Sequence, residues 1–117
     1  MEKEVIRMLD ECKMRYHLKA LMPEKPFLVT FDNGSEAMTI ALGRRVELAV
    51  VSLENPEADF LITGSPGCIQ ELLNGKEKLS LLSRRNEVKV TGTFRGLLFV
   101  ESILTLCRVH DSEPVVI

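Results

Sequence analysis

The residues from Gly92 to Arg108 constrain this chain more than any other stretch. They follow a strand-like run, and their own spacing is helical. On a helical wheel Leu97, Phe99, Val100, Ile103, Leu104, Leu106 and Cys107 spread over roughly half the circumference. Arg95, Glu101, Ser102, Thr105 and Arg108 hold the other side. So wide an apolar face exceeds what one neighbouring sheet usually needs. Such a helix is either a deeply buried core element, or it covers a sheet on one flank and lines a lipid-sized cavity on the other. No catalytic motif accompanies it, so the functional question turns on this helix.

The preceding residues say what it packs against. Residues 2–21 predict a first helix, because Val5, Met8, Leu9, Cys12 and Tyr16 recur on one stripe with Lys and Glu opposite. Its polar face is mixed in sign, which favours packing on the domain over lying on a membrane surface. Pro23 and Pro26 end it. Three strands are then expected: Phe27 to Phe31, the alternating run around Met38, Ile40 and Leu42, and Val46 to Leu53. Asp32-Asn33-Gly34-Ser35 and Gly43-Arg44 are turn signals between them, and Asn55-Pro56 breaks the run.

A fourth strand is expected over Asp59 to Thr63, and the pattern leaves open where it pairs. Ser65 and Pro66 then read as N-cap and first residue of a short helix that stops at Asn74-Gly75. A second short helix over Lys76 to Arg85 and a strand over Glu87 to Thr91 lead into the final helix. The segment 109–117 ends in Val115-Val116-Ile117 and is expected to be a loose tail or to add to an edge. The whole reads as a single α+β domain over residues 1–117, with a five-stranded, mainly antiparallel, curved sheet and helices on one face.

Composition excludes several functions. Net charge is −2 with the signs interspersed, and Arg44-Arg45 and Arg84-Arg85 are isolated pairs, so there is no basic stripe for nucleic acid. Five Phe, one Tyr and no Trp make base-stacking platforms a poor expectation. The chain shows no apolar run of signal-peptide or membrane-span length, so a cytoplasmic protein without stable membrane insertion is expected. Cys12, Cys68 and Cys107 are an odd number at wide spacing and suggest buried packing residues, not a disulfide framework. His17 and His110 have no short-range cysteine partner, so no metal site is expected. Gly64-Ser65-Pro66-Gly67 superficially resembles a nucleophile elbow but lacks the rest of that pattern, and Ser65 reads as a helix cap. No dinucleotide or phosphate loop is present, so neither catalytic residues nor a cofactor are assigned.

At this point the chain resembles the sterol-carrier-protein type 2 domain family. The resemblance is carried by ADFLITGSPGCIQELLNGKEKLSLL at 58–82 and EVKVTGTFRGLLFVESILTL at 87–106, with Ser65, Leu72, Leu73, Gly75, Lys76, Val88, Val90 and Gly92 at the family's cap, helix-end and strand positions. It implies a sheet with helices on one face and a hydrophobic tunnel between them that holds a fatty acid, acyl chain or sterol-like lipid without covalent bonds. The charged Ser83-Arg84-Arg85-Asn86 loop and the Pro114-Val115-Val116-Ile117 end depart from the eukaryotic carriers, so a small stand-alone bacterial type fits better. The expected ligand lining is Val29, Met38, Ile40, Phe99, Val100, Ile103 and Leu104. The alternative is a structural or regulatory homodimer without a lipid, with Leu98 and Glu101 as the residues that distinguish the two.

Overall fold

The computed structural model of the chain describes residues 1–44, 49–51 and 57–108. Their order is α1 (Glu2–Met14), α2 (Tyr16–Leu21), β1 (Phe27–Asp32), β2 (Ala37–Leu42), β3 (Ala49–Val51), β4 (Phe60–Gly64), α3 (Pro66–Leu73), α4 (Leu79–Arg84), β5 (Val88–Thr91) and α5 (Phe94–Leu106). The strands form one sheet in the order β3-β2-β1-β4-β5.

The α+β class holds, and the expected mainly antiparallel sheet is a mixed one, with three antiparallel pairings and one parallel pairing. β1 pairs antiparallel with β2 on one side and parallel with β4 on the other. The chain therefore crosses over after β3 and re-enters beside the first strand. Asp59 helps set this register: its backbone N–H donates to the Leu28 carbonyl at 2.8 Å, and its carboxylate accepts the Leu28 N–H, also at 2.8 Å. Asp59, the first residue of the expected fourth strand, lies just before β4. Of the third strand expected over Val46 to Leu53, the described part is Ala49–Val51, and the Asn55-Pro56 break and the 109–117 tail lie outside the described residues.

Strand alternation gives the sheet one buried face. Val29 faces Ile40 on one neighbour and Phe60 on the other, and Phe31 faces Met38 and Ile62. Val29, Phe31, Ile40, Leu42, Phe60, Ile62 and Val88 are all buried. The intervening residues point to the opposite face, where Thr30 and Thr39 satisfy each other across the strands, hydroxyl to hydroxyl at 2.7 Å. The turn Asp32 to Glu36 forms as its residues suggest: Asp32 accepts from Gly34 N–H at 2.8 Å, Asn33 from Ser35 at 3.0 Å and Glu36 at 2.8 Å, and Gly34 takes a φ of 90°.

Helices cover the apolar face. α1 contributes Val5, Met8, Leu9 and Cys12, α3 Ile69, Leu72 and Leu73, and α5 Leu97, Val100, Ile103 and Leu104. The single helix expected over 2–21 is broken at Arg15 (φ −106°, ψ 85°). The apolar phase explains the break. Leu18 and Met22, both buried, are out of step with the stripe set by residues 5 to 12, and a kink rotates them back toward the core. α3 and α5 are each capped by a hydroxyl: Ser65 Oγ accepts from Cys68 N–H at 3.3 Å, and Thr93 Oγ1 from Gly96 N–H at 3.0 Å. Gly75, at φ 72°, turns the chain after α3 so closely against α5 that a Cβ there would collide with Arg108.

Two polar contacts tie the helical layer together. Arg7 on α1 donates to the Cys107 carbonyl at 3.0 Å and to the Leu73 carbonyl at 2.9 Å. One guanidinium thus serves the C-terminal ends of α5 and α3, where unpaired carbonyls concentrate negative partial charge. Glu101 on α5 accepts from the Ser80 backbone N–H at 3.0 Å and its hydroxyl at 2.5 Å. It caps the first turn of α4, which has no cap from its own N-cap residue, Lys78.

Arg7→Met should therefore destabilise the protein by about 2–3 kcal/mol, because two helix-end carbonyls lose a charged donor. Urea unfolding would show this as a lower midpoint at unchanged slope. Arg84→Met, at an exposed position, should stay within about 0.5 kcal/mol of the parent. Glu101→Ala should cost about 1–2 kcal/mol and Glu101→Gln clearly less, since the amide retains an acceptor for the Ser80 donors. Equal losses for Ala and Gln would refute the capping role.

Candidate functional site

Among the described residues an apolar cleft lies where α2, the entry to β1 and the first turns of α5 meet. It encloses about 280 Å³ and is lined by Leu21, Pro23, Phe27, Thr93, Arg95, Gly96 and Phe99. Pro23 and Pro26 hold the connection from α2 to β1 away from helical geometry. This delivers Phe27 to the first position of β1, beneath α5. Phe27 and Phe99 meet edge to face, with centroids 5.5 Å apart and planes at 89°. Gly96 supplies the floor. A Cβ there would lie 3.2 Å from both Phe27 and Phe60, so the missing side chain is what lets α5 come this close to the two rings. Leu21 stands at the rim with 61% of its surface exposed, and the exposed Arg95 provides the one charge.

A second cleft of about 360 Å³ is lined by Lys78, Glu101, Ser102, Thr105 and Leu106. Its carboxylate is engaged by Ser80, and Ser102 Oγ donates to the Leu98 carbonyl at 2.8 Å. This is a helix junction whose polar groups are mostly committed to structure. Glu101 therefore stands neither free in solvent nor at an apolar mouth. Leu98 is 44% exposed and Phe94, one turn before it, 74%. Leu106 also reaches the surface, so the apolar arc of α5 faces the core along Leu97, Val100, Ile103 and Leu104 and meets solvent at its margins.

The seven residues expected to line a cavity divide unevenly. Phe99 lines the apolar cleft. Met38 is partly buried against the core. Val29, Ile40, Val100, Ile103 and Leu104 are buried and pack in the cluster between sheet and helices. The cleft residues missed in the sequence are Leu21, Pro23, Phe27, Thr93, Arg95 and Gly96. Gly96 was the available signal, since glycine inside a helix costs about 1 kcal/mol and implies a close approach.

The cysteines bring a further feature together. Cys12 on α1 and Cys107 at the end of α5 are both buried, with sulfurs 2.7 Å apart, and Cys68 is half-buried. Cys107 is held below the usual thiol range, first by the hydrogen bond from Cys12, then by the Arg15 and Arg7 guanidinium groups, against an opposing effect of burial. Cys12 is pushed up by the same hydrogen bond and by burial. Among the described residues no cluster of His, Cys, Asp or Glu could hold a metal ion, and no helix is long and apolar enough to cross a membrane.

No family model matches the sequence. A curated protein of Bacillus subtilis (strain 168), the SCP2 domain-containing protein YusD, is 31% identical over 103 residues, spanning 88% of this chain and 90% of the relative. The fold recurs in the sterol carrier protein domain 2 of Helicoverpa armigera, with a TM-score of 0.65 at 11% identity over 92% of this chain and 89% of that one. It recurs again in a crystal structure of sterol carrier protein 2, with a TM-score of 0.59 at 18% identity over 91% and 94%. Shared sequence over nearly the full length, on the same arrangement of sheet and helices, establishes that the chain belongs to the sterol-carrier-protein type 2 domain family.

Proposed function

We propose that the protein binds a single-chain hydrophobic ligand, a fatty acid or acyl chain, without covalent chemistry, and holds it for transfer in the cytoplasm. The observation that carries this reading is the cleft floored by Gly96 and walled by Phe27 and Phe99, with Arg95 beside it, in a domain whose relatives are named as sterol carriers. The lining supplies apolar contact, and the rim supplies one cation suited to a carboxylate or phosphate head.

Volume limits what enters. About 280 Å³ lies just under the usual range of ligand pockets, roughly 300–1,000 Å³. A short chain fits the cleft as it stands. A longer chain reaches inward past Phe99, and Val100, Ile103, Leu104, Val29, Ile40 and Met38 become its lining as α5 lifts from the sheet. That step breaks core packing and opposes the gain from burying further methylenes.

The consequence is measurable with a homologous series of saturated fatty acids displacing a fluorescent one. Each methylene buried is worth about 0.8 kcal/mol, so affinity should rise about fourfold per carbon while the cleft fills and then level off. Phe99→Asp should weaken binding at least about tenfold at every length, since it sets a carboxylate in the apolar wall. Arg95→Glu should weaken fatty acids several-fold and leave the matching alcohols unchanged. Absence of displacement at any chain length, with no bound lipid in a native mass spectrum of the purified protein, would defeat the reading.

A further inference from the structure

We propose that Cys12 and Cys107 form a reversible redox pair, which a peroxide oxidises to an intramolecular disulfide joining α1 to the end of α5. The proposal stands on placement. The two residues are 95 positions apart, yet the fold brings their sulfurs to 2.7 Å inside a buried seam. A disulfide places the sulfurs at ~2.05 Å, so forming one takes less than an ångström of approach. Arg7 anchors the same corner by its bond to the Cys107 carbonyl, and the seam lies beside the Arg15 break between α1 and α2.

The surroundings of the pair decide which sulfur reacts first. The hydrogen bond from Cys12 favours a thiolate at Cys107, and Arg15 and Arg7 add to it, while burial and Glu11, paired with Arg15 at 3.2 Å, oppose it. The Cys107 thiolate attacks one oxygen of hydrogen peroxide. The O–O bond breaks, and the departing hydroxide takes a proton and leaves as water. Cys107 now carries a sulfenic acid. The Cys12 sulfur gives up its proton, attacks the sulfenic sulfur, and expels the second water. Two thiols and one peroxide thus become one disulfide and two waters. A cellular dithiol reverses the step by thiol–disulfide exchange.

Closing so long a loop restricts the unfolded chain strongly, so the oxidised form should be more stable. It should also hold α1 against α5 without altering the subunit count. Cys68, half-buried on α3, is outside the pair and stays a free thiol. None of this depends on whether a lipid binds.

The test uses the full chain with Cys68→Ser, which keeps both partners and removes the third thiol. After treatment with hydrogen peroxide, the intact mass should fall by two hydrogens and no thiol should react in denaturant. Tryptic digestion should yield one cross-linked species joining residues 8–13 to 96–108. The melting temperature should rise by roughly 5–15 °C and return with dithiothreitol. In the unsubstituted protein one thiol per chain should remain, at Cys68. Persistence of both thiols in excess peroxide, a sulfinic acid in place of the cross-link, or disulfides between chains would each overturn the proposal. Oxidation in urea provides the comparison: a cross-link that forms as fast in the unfolded chain as in the folded one would show that the fold does not pre-form the pair.

Discussion

One face of this sheet is strongly apolar, and its need for cover organises the molecule. β1 sits at the centre of the sheet, and its inward residues Val29 and Phe31 contact apolar partners on both sides, Ile40 and Met38 on β2, Phe60 and Ile62 on β4. Burying such a surface contributes roughly 25 cal/mol per Å², and nothing else in a domain of this size offers a comparable driving term. The helices are amphipathic because they answer this face, and α1, α3 and α5 each lay a stripe of three to five buried residues on it. The opposite face is more polar, with Thr30 bonded to Thr39 and with Lys89 and Thr91 exposed.

Cover alone does not fix where the helices stop, and here polar contacts take over. α3 and α5 both end near α1, and two helix C-termini in one place leave carbonyls that burial would punish. Arg7 resolves this with one side chain. Glu101 does the corresponding work at the start of α4. Both are charged residues that a helical wheel assigns to solvent, and both are part-buried connectors. Their importance comes from the backbone groups they satisfy at the far ends of other helices. Cys107 belongs to the same corner: its carbonyl receives Arg7 and its sulfur meets Cys12, so α1 and α5 are joined there by backbone and side chain alike.

What was legible in the sequence was local. Ser65 and Pro66 announced the start of α3, Gly75 its end, Asp32 to Ser35 the hairpin, and the stripe of Val5, Met8, Leu9 and Cys12 the buried side of α1, because each is decided by neighbours within a turn or two. The parallel pairing of β4 with β1 was not legible. It depends on residues some thirty positions apart, and nothing in the sequence next to Asp59 points to Leu28 as its partner. The same holds for the meeting of Cys12 with Cys107 and of Glu101 with Ser80. The break at Arg15 lies between these cases. The phase change from Cys12 to Leu18 is visible in the sequence, but a stripe ending in Tyr16 hides it.

The cleft shows why a lining guessed from apolar periodicity points to the wrong depth. Periodicity finds the residues that face the core, and in a well-packed domain those residues fill space with one another, as Val29, Ile40, Val100, Ile103 and Leu104 do. A cleft arises where the pattern is interrupted. Here the interruptions are a glycine inside α5, two prolines in the α2–β1 connection, and two phenylalanines that meet edge to face along the wall. Gly96 costs the helix stability and gains no contact of its own, so its place is explained by the ring it admits. The helix with the surplus of apolar residues therefore opens its cleft at its one buried position that has no side chain at all.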